Sequence, residues 1–153
     1  MGIYKYPVLL AVIFVCVSCT TGPEKIERMS ETLPVALSAS LLSEESGERQ
    51  GSQDACFFPY KKLLYGTEQS FEEIVEFYET SLREEGWAKR TDGLVSSNSP
   101  SWVKNEEFWV SIGSGPQLDF PQNVVEDAQA KYDTVYFVSI THVDWIARQW
   151  CLQ

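Results

Sequence analysis

Residues 70–87 constrain the fold of this chain more than any other stretch. Ser70 is followed three positions later by Glu73, the pattern of a capping box. Phe71, Ile74, Val75, Tyr78 and Leu82 then recur at helical spacing. Gly86 follows as a left-handed terminator, and Trp87 is placed to fold back on the last turn. The sequence therefore predicts a helix over Phe71 to Glu85. The opposite side carries Glu72, Glu76, Glu79 and Arg83, which reads as a solvated surface. Paired carboxylates can act as acid and base only in a sheltered cleft, so this face carries no chemistry.

The surrounding segments read as strands. Phe57 to Tyr65 is aromatic-rich, with Pro59 confining its first part to an edge or a strand start and Gly66-Thr67 breaking it. Trp87 to Thr91 is a short strand. Trp102-Val103-Lys104 and Phe108 to Ile112 pair as a hairpin about Asn105-Glu106 or run as one bent strand. Residues 113–133 read as a long loop holding a helical turn over Val124 to Tyr132, with Gly113-Ser114-Gly115 as a turn. Thr134 to Val143 alternates, so Tyr136, Val138, Ile140 and His142 share one face. One helix cannot cover both faces of a doubly wound parallel sheet. The expected fold class is α+β, one main helix on one face of a four- or five-stranded, mainly antiparallel sheet.

A strand ending in Tyr65-Gly66, then Phe77-Tyr78, Leu82 and Gly86-Trp87, resembles a strand and helix found in many small bacterial lipoprotein domains. The resemblance spans residues 57–87. It implies a fold type and a cell-envelope setting, and no activity.

The amino terminus agrees with that setting. Lys5 is followed by an unbroken apolar run from Val8 to Val17, then Ser18-Cys19 and a polar stretch. This is the three-part layout of an export signal. The run is far short of the ~20 residues that span a bilayer. Its end resembles the lipobox of bacterial lipoproteins, in which a small residue precedes a cysteine that receives a diacylglyceryl group before cleavage. Ser18 and Cys19 match those positions; Cys16 stands where the family has an aliphatic residue. Each buried methylene adds ~0.8 kcal/mol, so several acyl chains make a stable tether. Thr20, not Asp, follows Cys19, which by resemblance to sorting in two-membrane bacteria implies the outer membrane. The alternative is plain secretion with Cys19 as one more thiol. The expected organisation is a signal peptide over 1–18, a lipidated flexible tether over 19–55, and a compact domain over 56–153. Segment 43–54 has no apolar residue, so it cannot offset its ordering entropy; Leu33 to Leu42 is a weak apolar cluster that docks or forms a short helix.

Formal charge is −10, and loss of residues 1–18 removes a lysine and no acid. Phosphates would repel such a surface, which argues against nucleic-acid binding. Anionic headgroups would repel it too, so attachment falls to the lipid. All five tryptophans lie beyond residue 86, and core filling is their expected role.

With Cys16 removed and Cys19 lipidated, Cys56 and Cys151 remain. An even pair in an exported chain implies a disulfide stapling the two ends of the domain. A two-thiol metal or redox site would need close spacing that these cysteines lack. His142 is the lone histidine. As a general base it would need a nucleophile placed by the fold, and no Gly-x-Ser-x-Gly elbow is present. No cofactor or metal is expected. The leading expectation is a non-catalytic envelope lipoprotein that acts as an accessory or binding module on an envelope protein. The alternatives are a periplasmic enzyme using His142, or an acidic inhibitor of a cationic partner.

Overall fold

A six-stranded antiparallel sheet organises the described residues, 21–50, 56–91, 99–115 and 118–144 of a computed structural model. In chain order the elements are α1 (Gly22–Thr32), β1 (Ser40–Gln50), β2 (Phe57–Thr67), α2 (Phe71–Glu84), β3 (Ala88–Lys89), β4 (Ser101–Lys104), β5 (Phe108–Ser114), α3 (Gln122–Gln129) and β6 (Thr134–His142). The strand order is β1-β2-β6-β5-β4-β3. The last strand thus inserts between β2 and β5.

The α+β class and the antiparallel sheet agree with expectation. The strand number and the single helix do not, and the reason lies in β2 and β6. Both are interior strands with consecutive buried residues, Leu63-Leu64-Tyr65 and Val135 to Ile140, so both of their faces need cover. On the first face Leu63, Tyr65, Val110, Ile112, Tyr136, Val138 and Ile140 pack with Ile74, Tyr78 and Leu82 of α2 and with Leu33 and Ala36, which follow α1. On the second face Leu64 and Val135 pack with Ala128 of α3, flanked by Leu42, Phe120, Val124 and Tyr132. Within the expected loop at 113–133 the helical turn forms as α3, two residues earlier than read, and Gly113 and Ser114 are the end of β5 rather than a turn.

The helix expected at 71–85 forms as read. Ser70 N–H donates to Glu73 Oε2 at 2.8 Å, and Glu73 N–H donates to Ser70 Oγ at 3.3 Å. At the other end Trp87 N–H reaches Leu82 O at 2.9 Å and Gly86 N–H reaches Arg83 O at 3.1 Å, a Schellman closure that needs the Gly86 φ of 85°. Trp87 is buried, as is Trp102; Trp109 is half-buried. Asn105 and Glu106 turn the β4–β5 hairpin with φ of 52° and 60°, the left-handed pair that matches strand twist.

Residues 21–50 of the segment expected as a tether are instead part of the fold. Pro23 sits in the first turn of α1, and Glu24 Oε2 accepts from Thr21 N–H at 3.1 Å. β1 pairs with β2 from Ser40↔Gly66 to Gln50↔Phe57, with a bulge between Leu41 and Ser43. An outer strand gains its stability from the ladder to β2, and it needs no apolar stripe of its own. The folded body therefore includes α1 and β1, ahead of Cys56. Pro59 lies in an interior strand, but before Tyr60↔Thr141, where the β6 ladder starts, so its missing N–H breaks no bond to β6.

Gly66 does not break β2; the strand runs through it to Thr67. A Cβ at Gly66 would overlap the Tyr132 ring, with Cγ at 2.6 Å and Cε2 at 2.8 Å. The ring after α3 therefore rests directly on the β2 backbone. Gly66→Ala is expected to cost about 1–3 kcal/mol, the range for overpacking a filled site. Urea unfolding checks this, and Tyr132→Leu, which narrows the ring's footprint, should recover part of the loss.

Candidate functional site

A concavity lies where α1 crosses the β1–β2 ladder. It encloses about 280 Å³ and is lined by Pro23, Ile26 and Glu27 of α1, Ser46, Gly47 and Glu48 of β1, and Pro59, Tyr60 and Lys61 of β2. Alternation along β2 places Lys61 on the α1 side, in line with Leu63 and Tyr65. Its register partner Ser46 and the nearby Glu44 and Glu48 of β1 share that side.

Lys61 is buried, and its ammonium donates to both carboxylate oxygens of Glu27, at 2.8 and 2.9 Å. Glu44 stands 3.5 Å away. Burial alone would push the ammonium down, but Glu27 and Glu44 outweigh it and hold Lys61 above its ordinary value. The two carboxylates are more than half exposed, so water shares the pairs. Glu48 takes no ion pair among the described residues. The α1-side rim thus carries an excess of negative charge over an apolar floor of Ile26 and the two prolines.

The far side of the same ladder is neutralised internally. Tyr60 Oη donates to Glu45 at 2.5 Å, and that bond to the carboxylate is the main reason its phenol is held above its ordinary value. The Arg49 guanidinium lies 5.4 Å from the Tyr60 ring centroid. Lys62, next in sequence to Lys61, points to this second face and is buried between Phe120 and Phe137, each 5.5 Å away, with Asp119 at 3.5 Å.

His142 ends β6 on the α1 side, as its alternation predicts. Its ring is buried, tilted against Phe108 at 5.1 Å, and its Nε2 accepts from Lys25 Nζ at 3.4 Å. Among the described residues its hydrogen-bond partner is Lys25. Burial first, and the Lys25 charge second, lower its pKa below 6.5. Between that lowered value and 6.5 the unfolded chain binds a proton that the native chain refuses. Stability is therefore full above 6.5 and falls as pH falls through this window. Urea midpoints taken from about pH 7.5 to about pH 5 should show the decline, and His142→Gln should make it shallower. Equal slopes for both proteins would remove His142 as the cause.

Cys56 is buried beside Phe58, Val143 and Trp109 and is disulfide-bonded. Cys16, Cys19 and Cys151 lie outside the described residues, as do Trp145 and Trp150. Sequence reasoning missed the cleft because it treated α1 and β1 as tether. The signal was present in Thr21-x-x-Glu24 with Pro23 in the first turn. Among the described residues, no cluster of histidine, cysteine and carboxylate could hold a metal ion.

The chain matches no family model, no curated protein and no solved structure. Its function is therefore argued from its own residues.

Proposed function

We propose that this protein is a non-catalytic cell-envelope lipoprotein, a binding module fixed to a membrane by a lipid on Cys19. The observation that carries this reading is the apolar run from Val8 to Val17 closing on Ser18-Cys19. The disulfide state of Cys56 supports it, because such bonds persist in oxidising compartments and are rare in the cytosol. Cys151 is the proposed partner of Cys56, since the other two cysteines belong to the leader and the anchor.

The early start of α1 changes what the anchor does. Only Thr20 and Thr21 separate Cys19 from Gly22. A lipid there would hold the folded body against the headgroups rather than on a long leash. The acidic surface would be repelled by anionic lipid, so retention depends on the acyl chains. The cleft beside α1, with its carboxylate rim, is then the surface offered to a partner next to the membrane. Thr20 favours the periplasmic face of an outer membrane.

Cys19→Ala is expected to abolish incorporation of labelled fatty acid and to leave the leader uncleaved. The wild-type protein should partition into detergent, and a chain released from its leader without lipid should partition into water. Labelled lipid on the Cys19→Ala protein would refute the assignment.

A further inference from the structure

The geometry points to an extended, basic polypeptide segment as the partner, added as a seventh strand on the open edge of β1 with its cationic side chains over the α1 cleft. This rests on reading the protein as a binding module, and it names what is bound. Three observations carry it.

First, β1 is the outer strand of the sheet over Ser40–Gln50, and its regular stretch from Ser43 to Arg49 takes its strand pairing from β2 among the described residues. An unpaired edge of this length is a template for strand addition, in which main-chain hydrogen bonds give affinity and alternate side chains give specificity. Second, the charges on this edge are sorted by face. On the second face Glu45 is taken by Tyr60, and Arg49 lies over the same ring. On the α1 face Glu27 and Glu44 both pair with one buried cation, Lys61, and Glu48 lines the same cleft with no ion pair among the described residues. Third, a cleft of about 280 Å³ with Pro23, Ile26 and Pro59 in its lining opens on that face. It suits the aliphatic stem of a lysine or arginine whose head meets a carboxylate.

The same sorting disfavours a second copy of the chain paired about Ser46. Antiparallel self-pairing of β1 about Ser46 would set Glu44 opposite Glu48 twice over, and like charges directly opposed are destabilising. A strand with basic residues at alternate positions reverses the sign of those contacts. Leu41 is exposed on the same face beyond the bulge, so the matching strand should end in an apolar residue there.

The test uses the full-length protein in detergent and a synthetic peptide of alternating lysine and valine. Binding should be measurable by calorimetry at low salt and should weaken as salt rises. Reversing both rim charges with Glu44→Lys and Glu48→Lys should weaken it about tenfold or more, while Glu76→Lys on α2 leaves it unchanged. Two further peptides carry backbone N-methyl groups on the lysines or on the valines. One of the pair must lose binding, because one set of amides faces β1. Equal binding by all three peptides would overturn strand addition, and so would indifference to the rim reversal or failure of the parent peptide to bind. The mass of the amino terminus, read on the same preparation, reports the anchor separately. A lipidated protein that ignores the peptide removes this inference alone.

Discussion

Alanine in place of Trp102 is expected to lower stability by about 3–5 kcal/mol, the range for emptying a large aromatic site in a core. Trp102 is 1% exposed, one of the largest fully buried side chains of the described residues. It lies on β4, opposite Val110 of β5 and Lys89 of β3, and belongs to the cluster under α2. β3 and β4 are the shortest strands of the sheet, so few ladder bonds hold this end. The indole is therefore a main contact between the far strands and the core. A small domain has about 5–15 kcal/mol in all, so the loss should shift the urea midpoint strongly. A change under about 1 kcal/mol would mean that the site collapses around the gap.

Removing the disulfide at Cys56 is expected to have an effect of similar size. With Cys151 as partner the bond closes a loop of ~95 residues, and the chain-entropy model gives ~4–5 kcal/mol for such a loop. Cys56 immediately precedes β2, which pairs with both β1 and β6. The bond would fix the start of a central strand to the far end of the chain. Cys56→Ser and Cys151→Ser should each lower the urea midpoint to the same extent, and the double variant should lose nothing more. A further loss in the double variant would show that the two cysteines act separately.

What the sequence made legible is the part of the fold set by local chemistry. The Ser70–Glu73 box, the Gly86 closure and the alternation of Tyr136, Val138, Ile140 and His142 all stand in the structure as read. At Asn105-Glu106 the sequence leaves a hairpin and one bent strand open, and the structure takes the hairpin, with both residues left-handed. Long-range pairing was not legible. β1 carries Ser43 to Gln50 without an apolar residue, and it is ordered by the β2 ladder, which no local pattern announces. Gly66 reads as a breaker, yet its role is to admit the Tyr132 ring from the far side of the sheet. Lys61 and Lys62 are neighbours in the strand read at Phe57 to Tyr65. Alternation sends them to opposite faces, where Glu27 and Asp119 meet them from separate elements. The candidate site is built on β1, which no local pattern announces, and on α1, whose Thr21-x-x-Glu24 signal was there to read.

The membrane placement of this protein turns on how the mature chain begins. Intact-mass and peptide mass spectrometry of protein taken from its own membranes should find Cys19 as the first residue, carrying a diacylglyceryl mass. Residues 1–18 should be absent. An unmodified Cys19, or a chain still bearing Met1 to Ser18 in soluble cytosol, would contradict the anchor and with it the placement of the cleft at a membrane.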